Sequence, residues 1–249
     1  MSSTDFLLLL GAGFVGGIVN TLAGGASVIT VPALVLVGLP GTVANGTNRV
    51  GVFLQSVVAA WRFRAEGVSG FRKSLPVLLP VALGSLAGAA IVSQLTDETF
   101  NRIFGIVMIL LVVPMLRPPP TGIDARAQVR RKWSTAVTFI VFLAIGFYGG
   151  AFQAGVGLFL ILALSYAGYD LVQANSIKVV VNGALTAVAV PVFLLNNQVE
   201  WIPALVLASG FTAGGIVGVR AAVAGGERVI RPVLVASVLL LAGRMLGFY

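Results

Sequence analysis

The chain contains no cysteine and no histidine, and only 10% of its 249 residues are charged. The missing cysteines exclude disulfide bonds and thiolate catalysis, and the missing histidines exclude imidazole acid–base chemistry and most zinc sites. We therefore expect no metal and no cofactor. Soluble domains carry about 25% charged residues, so a soluble protein of this length would lack the charge to cover its surface. The scarcity of charge therefore indicates an integral membrane protein.

What the chain has in excess is apolar sequence, since 58% of the residues are hydrophobic and the mean hydropathy is +1.02. A membrane-spanning helix takes about 20 residues, so the length allows roughly eight to ten crossings. The apolar runs at 77–92 and 104–115 are continuous, whereas strands of an outer-membrane barrel alternate in polarity over about ten residues. The run at 6–10 has no basic residue before it, which favours a first membrane segment over a cleaved signal. The sequence predicts an all-α integral membrane protein.

Hydropathy divides this protein into two halves joined by a polar linker. A stretch at 5–37 is too long for one helix and is broken at Gly24 and Gly25, which leaves a short piece at 26–37; a similar short piece is expected at 156–168. The remaining predicted segments are 43–63, 74–94, 99–116, 133–154, 171–195, 200–222 and 228–246. We expect a first membrane repeat at 1–116, a linker at 117–132 and a second membrane repeat at 133–249.

Short motifs of the first half recur in the same order in the second half. The matching pairs are 13–17 with 146–150, 44–49 with 174–178, Asn20 with Gln153, and Gly84 and Gly88 with Gly210 and Gly214. Glycines spaced by four residues let membrane helices approach closely, so we assign the last pair to helix packing. Because the four pairs occur in the same order in both halves, they predict that the second half is a duplicate of the first.

Charge in the connecting loops orients the two halves. The net charge of +8 is typical of basic cytoplasmic loops in a membrane protein, and we expect no nucleic-acid partner. The basic loops are 62–73, 117–132 and 220–231, whereas 97–98 is acidic and 196–200 has no basic residue. If the basic loops are cytoplasmic, connectors at equivalent places in the two halves lie on opposite sides of the membrane. This is the arrangement of the inverted repeats found in transporters. This predicts about four transmembrane helices plus one broken helix in each half. If the short pieces do not cross, the halves are parallel instead.

Two basic residues, Arg49 and Lys178, lie inside predicted segments, whereas all 8 acidic residues lie in loops or near helix ends. Each of the two is about seven residues into its segment, which is a depth of about 10 Å. A cation there costs at least about 2.5–3.5 kcal/mol and needs a partner or a water-filled cavity. A transported anion is one candidate partner. Carbonyl groups of the broken helices and snorkelling towards the surface are the alternatives.

The breaks near Gly24 and Gly157 supply a second feature suited to anions. A helix that begins after a glycine-rich turn directs free N–H groups and a partial positive charge at the break. Polar side chains lie close to both breaks and to both cations. The candidate substrate-binding residues are Asn20, Gly24, Gly25, Ser27, Asn48, Arg49, Gln153, Gly157, Asn175 and Lys178. We expect no catalytic residue among them.

The same residues carry a resemblance to a known family. The stretch 16–27, followed by 30–34 and 46–49, resembles the TauE/SafE sulfite exporter family of membrane proteins, and the second half fits the same family around Asn175 and Lys178. The resemblance covers nearly the whole chain. It implies a multi-pass transporter of small anions, typically sulfite or sulfonates, in the bacterial inner membrane.

The function predicted from the sequence is therefore transport of a small anion, sulfite or an organosulfonate, through a site between two broken helices. Its partners would be that anion and the lipid bilayer. Two alternatives remain at this point: a scaffold or assembly subunit that transports nothing, and a membrane-embedded enzyme.

Overall fold

The computed structural model describes residues 1–104, 106 and 133–225, which are helical with short connections and contain no strand. The helices are α1 (Ser3–Leu22), α2 (Ser27–Leu36), α3 (Gly41–Ala65), α4 (Phe71–Val92), α5 (Thr135–Ala151), α6 (Val156–Tyr166), α7 (Leu171–Leu195) and α8 (Trp201–Gly225); residues 97–104 are also helical. The predicted linker at 117–132, the segment at 228–246, and parts of 99–116 and 220–231 lie outside the described residues.

Four of the helices, α1, α4, α7 and α8, are long and apolar enough to cross a membrane. This confirms the prediction of an all-α integral membrane protein. Helix α3 is equally long, with 25 residues, but its first half carries Arg49 and several amides and hydroxyls. Helices α2 and α6 have 10 and 11 residues and correspond to the short pieces predicted after the breaks.

Glycines join helices of the two halves in pairs. A Cβ on Gly13 would overlap the backbone of Leu207, and one on Gly17 would overlap that of Phe211, so α1 and α8 run in the same direction. Helices α4 and α5 pack in the same way, which confirms the packing role of the predicted glycine pairs Gly84/Gly88 and Gly210/Gly214. The small residues let the backbones touch, as is common between membrane helices.

Gly13→Val is expected to lower the free energy of unfolding by about 3 kcal/mol, the upper end of the cost of overpacking, because its side chain would displace α8. Gly11→Val is the matched control, since Gly11 is exposed on the same helix with no atom within 4 Å of a Cβ. Its expected change is within about 0.5 kcal/mol. Thermal unfolding in detergent measures both, and equal melting temperatures would contradict the α1–α8 contact.

The two central helices, α3 and α7, cross in opposite directions. Ser56 of α3 accepts a hydrogen bond of 3.3 Å from Asn182 near the middle of α7. The guanidinium of Arg49, nearer the start of α3, lies 4.5 Å from the ring of Phe193, near the end of α7. Increasing residue numbers in one helix therefore meet decreasing numbers in the other.

The remaining contacts fix the directions of the other helices relative to α3 and α7. Gly51 of α3 lies against Ala208 and Gly215 against Gln55, so α3 runs with α8. Ser85 of α4 donates to the carbonyl of Leu185 at 2.7 Å, and earlier along both helices Gly70 meets Ser176, so α4 runs with α7. Helices α1, α3 and α8 thus run one way, and α4, α5 and α7 run the other. An inverted repeat requires this arrangement; the side of the membrane that each connector faces stays a prediction.

Connectors at the two ends of the helices differ in charge. At one end, the connector at 93–98 contacts the one at 196–200 through a hydrogen bond of 3.0 Å between Gln94 and Asn196. At the other end, Ser176 donates to the carbonyl of Val68 at 3.1 Å. The first end carries Asp5, Asp97, Glu98, Arg102 and Glu200, and the second carries Arg62, Arg64, Glu66, Arg72, Lys73, Asp170 and Arg220. Within the described residues, one end is therefore acidic and the other basic.

Candidate functional site

The two helix breaks meet at the centre of the protein. The Gly157 N–H donates a hydrogen bond of 3.2 Å to the Gly24 carbonyl, and a Cβ on either glycine would overlap the backbone of the other. Gly24 has φ +81° and Gly155 has φ +68°, which is the left-handed region that glycine adopts at little cost. The chain therefore reverses sharply in both halves at points that touch each other.

Lys178 lies at the C-terminal end of the broken helix in the opposite half. Its Nζ donates to the carbonyls of Asn20 at 2.8 Å and Thr21 at 2.7 Å, and to Oδ1 of Asn175 at 2.7 Å. These carbonyls belong to the last turn of α1, where the backbone acceptors have no partner within the helix and the helix dipole is negative. The ammonium group of Lys178, a residue only 1% exposed, thus supplies hydrogen bonds to the free carbonyl groups at the end of α1.

Arg49 makes the corresponding contacts at the end of α5. Its guanidinium donates to the carbonyls of Gly149 at 3.0 Å and Ala151 at 2.9 Å, and to Oε1 of Gln153 at 3.0 Å. Nε of Arg49 is buried with no hydrogen-bond partner among the described residues. In the described ranges no carboxylate lies within 4 Å of Arg49 or Lys178. Arg49 and Lys178 therefore contact the carbonyl groups of the broken helices, which is one of the alternatives that the sequence leaves open.

Each cation therefore belongs to one half and holds the broken helix of the other. The two amides beside them are also paired across the halves, since Asn45 donates to the Ala151 carbonyl at 2.9 Å and Asn175 donates to the Leu22 carbonyl at 3.4 Å. Asn45 was not among the predicted site residues. Its correspondence with Asn175 in the repeated motif is the signal that would have identified it.

A buried polar network extends from both cations along the crossing of α3 and α7. Asn20 donates to Gln55 at 2.7 Å, and Gln55 donates to Thr21 at 2.7 Å. In the other half, Gln153 donates to Asn182 at 2.9 Å. Thr21, Gln55 and Asn182 are polar residues of a kind that membrane helices use in packing, and the sequence did not single them out as site residues.

Asn20 and Gln153, which are equivalent in the repeated motifs, lie at different places relative to the helix ends. Asn20 lies within the last turn of α1, whereas Gln153 directly follows the C-cap of α5, as Gly24 follows the C-cap of α1. Gln153 has φ +62°, an uncommon conformation for a residue with a side chain. Its hydrogen bonds with Arg49 and Asn182 stabilise that backbone.

Gln153→Ala is expected to lower the free energy of unfolding by about 1–3 kcal/mol, because Arg49 and Asn182 lose a buried partner. Gln153→Gly loses the same hydrogen bonds but relieves the left-handed backbone, so we expect it to be more stable than the alanine variant by about 1 kcal/mol. Thermal unfolding of the three proteins compares these values. Alanine and glycine variants of equal stability would show that the backbone at Gln153 is unstrained.

The N-terminus of α2 offers the free N–H groups predicted at the first break. Among the described residues, the backbone N–H groups of Gly25, Ala26 and Ser27 donate no hydrogen bond. Gly25 is buried, yet apart from its two chain neighbours no described residue has a heavy atom within 4 Å of the position of a Cβ. The Ser27 hydroxyl accepts from Asn48 at 2.9 Å. The Gly157 N–H, expected to be free as well, donates to Gly24 instead.

All ten predicted site residues lie at the two breaks or contact them. They form four contacting groups: Lys178 with Asn20 and Asn175, Arg49 with Gln153, Ser27 with Asn48, and Gly24 with Gly157, while Gly25 lies directly after Gly24. Thr30, which donates to Asn48 at 2.7 Å, is a further neighbour that the sequence did not single out. The structure therefore brings together residues that are more than a hundred positions apart.

Comparisons with known proteins match nearly the full length of the chain. Residues 9–245 match the model of the sulfite exporter TauE/SafE family. A probable membrane transporter protein, ORF9, of Sinorhizobium sp. is 30% identical over 95% of this chain and 90% of that protein. A probable membrane transporter protein of Haemophilus influenzae is 27% identical over 96% of this chain and 93% of that protein. The probable membrane transporter protein YfcA of Escherichia coli K12 is 27% identical over 96% of this chain and 90% of that protein.

No solved structure matches the chain. The family match spans both halves and both breaks. The chain belongs to the sulfite exporter TauE/SafE family of membrane transporters.

Proposed function

We propose that this transporter moves a small anion, sulfite or an organosulfonate, across the bacterial inner membrane, and that the anion binds at the N-terminus of α2. The observation that carries the proposal is the set of three consecutive N–H groups at Gly25, Ala26 and Ser27 without an acceptor in the described structure, beside the open space at Gly25. A helix N-terminus is a natural site for oxyanions, since its N–H groups and its dipole both favour negative charge.

The charge around this site also favours an anion. Arg49 and Lys178 are buried near the two breaks, and the acidic residues of the described ranges lie in connectors or at helix ends. A cation substrate would meet two buried positive charges without a carboxylate to balance them, which is unfavourable in a medium of low dielectric constant. Sulfite and sulfonates present several oxygen atoms, which suits several converging donors.

The contacts between the halves suggest how access to this site would alternate. The breaks touch through Gly24 and Gly157, and each cation joins one half to the broken helix of the other. In transporters with inverted repeats, one repeat rocks against the other around a central site. We infer that the two cations, which join the halves, limit how far the halves can move while the broken helices stay capped.

Transport of labelled sulfite into proteoliposomes tests the site. We expect Ser27→Ala and Asn48→Ala each to raise KM about tenfold, the effect of losing about one hydrogen bond to a charged group. Ser209→Ala is the control, since Ser209 is exposed on α8 and its hydroxyl donates only to the carbonyl of Val206. Competition by sulfonates of increasing size separates the two substrate classes. Unchanged KM in both site variants would contradict the proposed position.

The membrane orientation is part of the same proposal, with the basic loops 62–73, 117–132 and 220–231 on the cytoplasmic side. The chain has no native cysteine, so single cysteines can be labelled without background. Thr96→Cys and Asn197→Cys are expected to react with a membrane-impermeant maleimide from outside the cell. Ser69→Cys, at the basic end, should react only after permeabilisation. Labelling of Thr96 and Asn197 from opposite sides would contradict the inverted repeat.

A further inference from the structure

The membrane-facing side of the α3–α7 crossing contains an apolar groove that the proposed transport site does not use. Its cavity volume is about 460 Å³, within the range of sites for small organic ligands. We call it the lateral groove; it is formed chiefly by Phe53, Val57, Trp61 and Arg64 of α3 and by Val180 and Ala184 of α7. Trp61 is 66% exposed, so the groove opens to the surface of the protein.

The depth of the lateral groove matches one leaflet of a bilayer. From Arg64 to Phe53 it follows α3 for roughly 16 Å, at 1.5 Å per residue. Half of a bilayer hydrocarbon core is about 15 Å. One end of the groove lies at the basic connector after α3, and the other reaches the helix crossing, where Ser56 and Gly183 contribute to the lining. Its dimensions and direction are those of a single acyl chain entering from the basic side.

The entrance of the groove favours a negatively charged head group. Arg64 lies in the lining, and among the described residues no carboxylate is within 4 Å of it, whereas its neighbour Arg62 is paired with Glu66 at 2.9 Å. Basic residues at the cytoplasmic membrane surface attract anionic lipids. Trp61, one turn before Arg64, is of the residue type that concentrates at the level of lipid head groups.

We propose that the lateral groove binds one anionic phospholipid, with its phosphate at Arg64 and an acyl chain between α3 and α7. The inner end of that chain would lie against Ser56, which accepts a hydrogen bond from Asn182 at 3.3 Å. Asn182 in turn accepts from Gln153 at 2.9 Å. The lipid would therefore contact the helix crossing from which the polar network leads to Arg49.

Quenching of Trp61 fluorescence by brominated lipids tests this site. The chain has three tryptophans, so Trp133→Phe and Trp201→Phe leave Trp61 as the single reporter. In phosphatidylcholine vesicles, brominated phosphatidylglycerol is expected to quench Trp61 at an about fivefold lower mole fraction than brominated phosphatidylcholine does, which is the preference that one basic residue near a membrane surface provides.

Variants of the groove distinguish this site from general attraction to a basic surface. Arg64→Gln should abolish the preference for phosphatidylglycerol, and Ala184→Leu should reduce quenching by filling the groove. Arg72→Gln removes the same charge from the same connector but lies outside the groove, so it should retain the preference. Equal quenching by the two lipids, or equal effects of Arg64→Gln and Arg72→Gln, would overturn the proposal. So would absence of quenching together with cross-linking of two copies through Trp61→Cys, since a second copy would then occupy the groove.

Discussion

Lys178→Met is expected to abolish sulfite transport and to lower the free energy of unfolding by about 2–4 kcal/mol, measured without any substrate. The loss of stability follows because the ammonium donates to two backbone carbonyls at the end of α1 and to Asn175. Methionine has nearly the same length but no donor, so these buried acceptors would lose their partner. Methionine carries no charge, so the variant avoids the desolvation cost of the buried ammonium, and this recovers part of the lost free energy of unfolding.

Lys73→Met is the matched control for this prediction. Lys73 lies at the surface and donates to Gln173 at 2.9 Å, so its replacement should change stability by less than about 1 kcal/mol. A residue that only binds the transported anion would affect transport and leave the unliganded protein as stable as the wild type. That result for Lys178→Met would contradict its role as the cap of α1.

Gly24→Ala is expected to destabilise the fold strongly, whereas Gly25→Ala should keep its stability and lose substrate affinity. A methyl group on Gly24 would overlap the backbone of Gly157, and the residue has φ +81°. Overpacking costs about 1–3 kcal/mol, and a left-handed backbone adds about 1 kcal/mol for alanine. The predicted loss is therefore a large share of the total stability of a typical domain.

The neighbouring position differs because a methyl group on Gly25 would meet no described residue within 4 Å apart from its two chain neighbours. That methyl would occupy the space beside the free N–H groups of α2. We expect Gly25→Ala to melt within a few degrees of the wild type and to have an about tenfold higher KM for sulfite, since one methyl group in a binding site changes affinity by that order. Size-exclusion chromatography and thermal unfolding compare the folds, and proteoliposome uptake compares KM. Equal stability of the two variants would contradict the contact between the breaks.

Several features of the fold were predictable because each has a local cause in the sequence. Gly24 and Gly25 interrupt a long apolar stretch, and this predicted the short helix that follows. Glycine pairs such as Gly84 and Gly88 predicted close packing. The charges of the connectors predicted which of them share an end of the molecule, and Gln94 and Asn196, from two connectors predicted on the same side, are in contact.

The partners of the buried cations were harder to predict because every residue carries a carbonyl group. Arg49 contacts Gly149, which is a hundred positions away, and no side chain in the sequence marks that acceptor. The left-handed backbone of Gln153 was also not predictable, since glycine and asparagine are the residues that usually adopt this conformation. Alignment of short motifs matched Gln153 with Asn20, whereas the helix ends match it with Gly24.

The central claim, that a small anion binds beside Gly25 at the first break, is tested most directly by thermal unfolding of the purified protein with and without sulfite. Binding to the native state alone stabilises it by about 2.7 kcal/mol at a ligand concentration one hundred times Kd. The proposal predicts that sulfite raises the melting temperature of the wild type, and that Gly25→Ala needs about ten times more sulfite for the same shift. The same shift in both proteins at every sulfite concentration would contradict it.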